Sequence, residues 1–200
     1  MLSISFFKER KNINEVLKKI EETSCEYIHV DIADNILVPN RSLNDNLLIK
    51  ELKKIKKPKD VHLMVKDVRK YIDLYKQINP EFITIHIEAD NIKDNINYIK
   101  SLGIKAGIAV DLDTNIEMIK EYLNNVDLIL IMSVKAGFGG QEYNNINYKI
   151  EYLKDKYNGL IEVDGGINDT NIKKINSDIK VVGSFVTNSD NYENQIKKLI

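Results

Sequence analysis

Short runs of apolar, mostly β-branched residues alternate with longer amphipathic stretches along the whole 200-residue chain. Several of these runs are apolar at nearly every position, which is typical of strands that are covered on both faces. The pattern therefore predicts a buried sheet. We expect its strands at Leu2–Phe6, Tyr27–Asp31, Asp60–Met64, Phe82–Ile87, Ala106–Val110, Leu128–Met132, Leu160–Asp164 and Lys180–Val182.

Between the predicted strands, apolar residues recur at helical spacing. Ile13, Val16, Leu17 and Ile20 are three or four residues apart, which places them on one face of a helix. Gly103 lies where a glycine commonly ends a helix. Three more helices are predicted in the same way. Their apolar residues are Leu47, Leu48, Leu52 and Ile55 in one and Ile92, Ile96 and Ile99 in the next, and the last helix is Tyr192–Ile200.

The order of these elements predicts the fold class. Alternation of strand and helix indicates an α/β protein with parallel strands joined by right-handed crossover connections. Eight strand–helix units without a Pro/Gly/Ser-rich linker favour a closed (β/α)8 TIM barrel that residues 1–200 form as a single domain. A doubly wound open sheet with an extra βα pair is the alternative that periodicity leaves open.

Composition narrows the classes of function. The 29 lysines and arginines nearly balance the 30 aspartates and glutamates, so nothing indicates a nucleic-acid partner. The single cysteine, Cys25, excludes an intramolecular disulfide framework and a cysteine-rich zinc site. No apolar run approaches the roughly 20 residues that span a bilayer, and charges follow Met1 too soon for a signal peptide. We therefore expect a soluble, cytoplasmic protein without a membrane partner.

Polar residues at the ends of predicted strands are the candidates for chemistry, because TIM-barrel active sites lie at the C-terminal strand ends. His29 and Asp31 are two residues apart in the second strand, so both side chains project from the same face. His62 lies in the third strand and Asp164 ends the seventh. Each residue alone is typical of a packed histidine or a helix cap. Two imidazoles and two carboxylates at one rim instead predict a site for Zn²⁺, Mn²⁺, Co²⁺ or Fe²⁺.

Loops that contain glycine follow the sixth, seventh and eighth predicted strands. Glycine lets backbone N–H groups approach an anion closely, and TIM-barrel phosphate sites commonly use the last loops of the barrel. The pattern is neither G-x-G-x-x-G nor a P-loop, which excludes dinucleotide-binding and NTPase motifs. The loops that we expect to bind phosphate contain Gly137–Gly140, Gly165-Gly166 and Gly183-Ser184.

Taken together, these stretches resemble the ribulose-phosphate 3-epimerase family. Each motif alone is weak, but the set keeps the family's order and spacing over nearly the whole chain. The resemblance implies a (β/α)8 barrel of the ribulose-phosphate-binding type and an isomerase of the pentose phosphate pathway. The matching motifs are His29–Asp31, Val38–Asn40, Asp60–Met64, Thr84–Ala89, Met132–Val134, Gly137–Gln141, Val163–Ile167 and Val182–Ser184.

The resemblance also implies roles for individual residues. His29, Asp31, His62 and Asp164 would bind one divalent metal, with Asp31 and Asp164 as the two acid/base carboxylates. Ser5 is an alternative to Ser3 as the substrate-contacting serine, because the alignment of the first strand needs a one-residue shift. The implied substrate and phosphate site comprises Ser3, His62, Gly137, Phe138, Gly139, Gly140, Gly165, Gly166, Gly183 and Ser184. The implied partners are a small-molecule sugar phosphate and further copies of the chain in a homo-oligomer.

The implied reaction interconverts D-ribulose 5-phosphate and D-xylulose 5-phosphate by proton transfer at C3. Two carboxylates on opposite sides of a flat ene-diolate suffice for this inversion, and the metal stabilises the developing oxyanion. His86 and Glu88 also match the family, and we expect His86 to pack beneath the site.

Departures from the family pattern leave the substrate open. Ala33 stands where the family has methionine, Asn35–Leu37 replaces a segment of different composition, and Lys135-Ala136 replaces asparagine-proline. Ala33 would leave extra room or a different wall, and Lys135 is either a phosphate ligand or a solvated lysine. The alternatives are therefore an epimerase of a six-carbon ketose phosphate such as allulose 6-phosphate, and a paralogue that binds a sugar phosphate without catalysis.

Overall fold

The eight strands close on themselves into a barrel. In the computed structural model, which describes residues 1–200, they are parallel and adjacent in chain order, and the first strand also pairs with the last. The predicted TIM barrel is therefore confirmed, since an open sheet would leave two edge strands unpaired. The strands are β1 Leu2–Ser5, β2 Tyr27–Ala33, β3 Lys59–Met64, β4 Phe82–His86, β5 Lys105–Val110, β6 Leu128–Met132, β7 Leu160–Asp164 and β8 Ile179–Val182.

Helices connect the strands and cover the barrel. The predicted apolar stripes of the first and fourth helices are buried, and Gly103 ends the latter with a φ of 75°. Leu47 differs from its expected position because it is 44% exposed. None of the helices combines the length and apolarity that crossing a membrane requires. The helices are α1 Ile13–Glu21, α2 Asp45–Leu52, α3 Val68–Tyr75, α4 Ile92–Ser101, α5 Asn147–Lys154, α6 Ser184–Thr187 and α7 Tyr192–Ile196.

Two connections contain only 3₁₀ helix, at Ile116–Tyr122 after β5 and at Ile172–Lys174 after β7. A 3₁₀ helix rises about 2.0 Å per residue against about 1.5 Å for an α-helix, so it spans a connection with fewer residues. At 200 residues the chain lies near the lower end of the TIM-barrel size range. The short connections therefore allow eight strand–helix units to form within 200 residues.

Alternation of side chains along the strands divides the core into two parts. Outward-facing residues such as Val30 and Ile85 belong to the larger apolar cluster. Inward-facing residues such as Phe82 and Leu130 form a smaller cluster. Because the inward positions recur every second residue, a polar residue at the last inward position of a strand lies at the mouth of the barrel. This geometry positions the site.

Candidate active site

A cavity of about 300 Å³ opens at the C-terminal ends of the strands. Asp31 of β2 and Asp164 of β7 line it, together with Met64 and Met132. All of the predicted phosphate-loop residues line it as well, namely Gly137, Phe138, Gly139, Gly140, Gly165, Gly166, Gly183 and Ser184. The two carboxylates and the three glycine loops therefore face one space.

The four predicted metal ligands lie together. The ligating atoms of His29, Asp31, His62 and Asp164 are all within 4.8 Å of one another. Strand register explains part of this arrangement, because Asp31 pairs directly with His62 between β2 and β3. The two imidazoles are fully buried beneath the cavity, whereas the two carboxylates line it.

This set of donors fits a divalent cation. Two imidazole nitrogens and two carboxylate oxygens match the ligand preference of Zn²⁺ and similar borderline ions. Burial, and then the charge of Asp31, raise the pKa of Asp164 to about 7. Carboxylates held together out of water need a countercharge, and a divalent cation would supply it.

Asp60, in the layer below, orients His29. His29 Nδ1 lies 2.6 Å from Asp60 Oδ2, while Nε2 lies 3.1 Å from Asp31 Oδ1. A carboxylate on one ring nitrogen fixes the ring and leaves the other nitrogen to face a metal. Ser3 is fully buried in this lower layer, where its hydroxyl donates to Asp60 Oδ2 at 2.9 Å. Ser3 does not line the cavity, contrary to the expectation that it contacts substrate.

Ser5, the alternative to Ser3, does line the cavity. It lies two residues further along β1, on the same face, and its backbone pairs with that of His29. Its hydroxyl donates to Asp31 Oδ2 at 2.7 Å. One step of two residues along a strand separates the barrel interior from its mouth, so Ser5 lies at the mouth and Ser3 in the interior.

His62 connects the metal ligands to a second histidine. His62 Nδ1 lies 2.9 Å from Asp31 Oδ1, and His62 Nε2 lies 2.8 Å from His86 Nε2. His86 Nδ1 in turn lies 2.9 Å from Glu88 Oε2. His86 therefore packs beside the site, where it positions the ring of His62, and it is not part of the group that could hold an ion.

Burial and neighbouring charges shift the pKa values of Asp31 and Asp164 in opposite directions. Burial alone would raise the pKa of Asp31, but His29 and His62 outweigh it and hold that pKa well below its usual value. Burial lowers the pKa of His62 to about 4. For His29, the carboxylates of Asp31 and Asp60 outweigh burial and raise the pKa. Near neutral pH, Asp31 is therefore ionised, while Asp164 is divided between its acid and base forms.

A buried carboxyl pair beneath the site, Asp60 and Glu162, was not predicted from the sequence. Neither oxygen of Glu162 has a hydrogen-bond donor within reach. Burial and the charge of Asp60 raise the pKa of Glu162 well above its usual value, which favours the protonated form of Glu162 beside Asp60. The sequence did carry a signal. Each residue interrupts an apolar strand two positions before a predicted ligand, His62 or Asp164, and so shares its inward face.

The glycines after β7 are required by close packing as well as by backbone conformation. Gly165 and Gly166 have φ values of 122° and 61°, which disfavour other residues. A β-carbon at Gly166 would lie 2.3 Å from the backbone nitrogen of Tyr143, and one at Gly165 would lie 2.6 Å from Val134 Cγ2. The loops after β6 and β7 therefore approach each other to a distance that a side chain would prevent.

Two of the departures from the family pattern lie away from the cavity. Ala33 is buried in the inner apolar cluster with Met64 and Met132, and unlike them it does not line the cavity. The side chain of Lys135 pairs with Asp113, with 3.2 Å between Nζ and Oδ2, and it does not line the cavity either. Neither residue therefore enlarges the cavity or adds charge to it.

In comparisons with known proteins, nearly the whole chain matches members of one family. A family model described as the Ribulose-phosphate 3 epimerase family matches residues 1–187. The ribulose-phosphate 3-epimerase of Helicobacter pylori strain J99 is 35% identical, and the match covers 94% of this chain and 89% of that protein. The ribulose-phosphate 3-epimerase of Buchnera aphidicola subsp. Baizongia pistaciae is 37% identical, with 98% and 90% covered.

A solved structure with a similar fold is 3-hexulose-6-phosphate synthase from Salmonella typhimurium. It superposes with a TM-score of 0.73 over 99% of this chain and 95% of its own, at 17% sequence identity. At that identity the likeness concerns the (β/α)8 architecture alone, because one fold hosts many activities.

Proposed function

The chain belongs to the ribulose-phosphate 3-epimerase family, and on that basis we propose that it is a metal-dependent epimerase of D-ribulose 5-phosphate and D-xylulose 5-phosphate. One observation carries the proposal: Asp31 and Asp164, from β2 and β7, line the same cavity as the three glycine loops. Inverting a carbon beside a ketone requires removal of its proton on one face and return of a proton on the other. Two carboxyl groups from separate strands supply the base and the acid.

In the proposed reaction, Asp31 removes the proton from C3 and the electron pair moves towards the C2 carbonyl, which gives an ene-diolate. Asp164, in its protonated form, donates its proton to the opposite face of C3. In the reverse reaction the two residues exchange roles. In the metal-free protein the pKa values of the two carboxyls are displaced in opposite directions, that of Asp31 to well below its usual value and that of Asp164 to about 7, so the two groups differ in their surroundings. Ser5 holds the Asp31 carboxylate by its hydrogen bond of 2.7 Å.

His29, Asp31, His62 and Asp164 would hold one divalent cation, either Zn²⁺, Fe²⁺, Mn²⁺ or Co²⁺. When bound, the cation supplies electrostatic stabilisation of the negative charge on the substrate oxygens. His29 and His62 lie beneath the cavity, so they leave the space above the carboxylates to the sugar. The glycine loops hold the phosphate, whose binding energy positions a carbon remote from it.

A five-carbon substrate is favoured over a six-carbon one. Ala33, the departure that would make room for a larger ketose phosphate, does not line the cavity. Coupled assays with D-ribulose 5-phosphate and allulose 6-phosphate test this assignment. Equal or faster turnover of the six-carbon substrate would overturn it.

A paralogue that only binds a sugar phosphate would not need two carboxyl groups in its cavity. Metal analysis of the purified protein separates this alternative from an enzyme. A preparation that contains no metal and stays inactive after addition of Zn²⁺, Mn²⁺ or Fe²⁺ would favour binding without catalysis.

Asp164→Asn tests the two-carboxylate mechanism. The variant keeps the size of the side chain but cannot transfer the proton, so we expect epimerisation to slow by about 10²- to 10⁴-fold. Binding of inorganic phosphate, measured by calorimetry, should be retained because the glycine loops are unchanged. The matched control is Asp169→Asn, which makes the same change at an exposed aspartate outside the cavity. Normal turnover in Asp164→Asn would refute the mechanism.

A further inference from the structure

The cavity contains a single basic side chain. Of the 23 residues that line it, Lys8 is the only lysine or arginine, whereas Asp31 and Asp164 contribute carboxyl groups. A phosphate monoester carries a charge of about −1.5 to −2 near pH 7. Backbone N–H groups of the glycine loops supply only partial charges. A cation at the phosphate end of the cavity would therefore strengthen binding of a dianion that enters beside two carboxyl groups.

Lys8 lies against the glycines of the loop between β6 and α5. It follows β1 by three residues, so the connection from β1 to α1 carries it to the cavity mouth. A β-carbon at Gly139 would lie 2.6 Å from Lys8 Cγ, and one at Gly140 would lie 2.5 Å from Lys8 Nζ. The aliphatic part of the side chain thus covers Gly139, and the ammonium group reaches Gly140.

No carboxylate of the protein neutralises this ammonium group. Lys8 is exposed, and it takes part in none of the ion pairs within 4.0 Å. Other lysines near the same end of the barrel are paired. Lys66 Nζ lies 2.7 Å from Asp90 Oδ2, and Lys135 Nζ lies 3.2 Å from Asp113 Oδ2. Lys8 is therefore a cation that lines the cavity and has no carboxylate partner.

We propose that Lys8 binds the phosphate group of the substrate and makes the cavity select phosphorylated over unphosphorylated sugars. Its ammonium group donates charge-assisted hydrogen bonds to phosphate oxygens held beside Gly139 and Gly140. The long, flexible side chain lets the charge follow the phosphate, and the absence of β-carbons at both glycines leaves the space that this side chain occupies. The inference rests on the proposed function for the identity of the sugar, but not for the phosphate contact.

Lys8→Gln tests the proposal, because it removes the charge and keeps much of the length. We expect the dissociation constant for inorganic phosphate to rise at least about tenfold, which is typical of a lost charged hydrogen bond. The KM for D-ribulose 5-phosphate should rise by a similar factor while kcat changes little, since Lys8 contacts the phosphate and not C3. Lys8→Arg should restore most of the affinity. The matched control is Lys135→Gln, which removes a paired lysine outside the cavity and should change neither constant.

The calorimetric measurement with inorganic phosphate separates this proposal from the proposed function, because it needs no turnover. A protein that binds phosphate through Lys8 but does not epimerise would refute the enzyme assignment and leave the contact standing. Equal phosphate affinity in Lys8→Gln and the unchanged protein would overturn the role of Lys8, as would absence of phosphate binding to the unchanged protein. Thermal melting of each variant shows whether it is folded.

Discussion

At the scale of residues, similar side chains have different roles inside the barrel and at its mouth. Ser3 and Asp60 lie in the lower layer of the barrel, where they position His29. Ser5 lies two residues beyond Ser3 in β1, and Asp31 lies two residues beyond His29 in β2. Both Ser5 and Asp31 line the cavity. The same residue types therefore support His29 below and line the cavity above, because each step of two residues moves a side chain by about 6.6 Å.

The raised pKa of Asp164 predicts that binding of Zn²⁺ to the metal-free protein depends on pH. Burial and the charge of Asp31 place this pKa at about 7, so below pH 7 the cation must displace a proton. We expect the apparent affinity to fall about tenfold per pH unit below pH 7 from this group alone, and its contribution to level off above that pH. The raised pKa of His29 acts in the same direction. Competition with a chromophoric chelator over a pH series measures the slope.

Asp164→Asn serves as the control for this titration, because the amide has no proton to displace. Its pH dependence should be shallower, and the slope that remains should come from His29. An affinity of the unchanged protein that is constant on both sides of pH 7 would contradict the raised pKa of Asp164.

At the scale of elements, the loops after β6 and β7 form one packed unit beside the cavity. Their contact depends on Gly166, where a β-carbon would lie 2.3 Å from Tyr143 N and 2.7 Å from the Gln141 carbonyl oxygen. Backbone atoms cannot move aside as a flexible side chain can. The proposed phosphate site therefore depends on this packing, and a change that separates the loops should also weaken phosphate binding.

A pair of glycine substitutions separates packing from backbone strain. Gly103 and Gly166 both have positive φ, 75° and 61°, but a β-carbon at Gly103 would meet nothing within 4 Å. We expect Gly103→Ala to cost only the left-handed backbone strain, about 1–2 kcal/mol of unfolding free energy, with normal phosphate affinity. Gly166→Ala should cost more and should weaken phosphate binding. Urea unfolding and phosphate calorimetry measure both, and equal behaviour of the two variants would contradict the packed-loop interpretation.

At the scale of the whole molecule, the last helix completes the layer around the barrel. Tyr192, Ile196 and Leu199 are buried. The ring of Tyr192 lies 5.3 Å from Lys19 Nζ of α1, and Ser24 N donates to Glu193 Oε2 at 2.8 Å. The C-terminal helix therefore packs beside the end of α1 and the loop that follows it. No residue of α7 lines the cavity.

Deletion of residues 192–200 should lower the free energy of unfolding by several kcal/mol, since each buried apolar side chain contributes about 1.5–3 kcal/mol. Turnover per folded molecule should persist because the cavity is intact. The control is deletion of Ile200 alone, which is 80% exposed and should have little effect. Urea unfolding of both truncations measures the difference, and a 192–200 deletion as stable as the control would show that α7 is dispensable.

Most of the site followed from sequence periodicity. His29, Asp31, His62 and Asp164 interrupt apolar strands, and the parallel strands of a barrel bring such inward-facing positions together, so their grouping within 4.8 Å was predictable. The three glycine loops were predictable for the same reason. The motifs of the family resemblance, which run through nearly the whole chain, pointed to the same residues.

The sequence by itself thus determined the order of elements and the polar residues near the strand ends, because strand periodicity and strand-end position are local properties. Periodicity favoured the barrel over an open sheet, and the pairing of β1 with β8 decided between them. Tertiary structure alone decided that Ser5 and not Ser3 lines the cavity, since the stagger of β1 against β2 sets the layer of each residue. It also placed Lys8, not Lys135, beside Gly139 and Gly140. The course of a loop and the reach of a long side chain depend on contacts between distant segments, which no local pattern records.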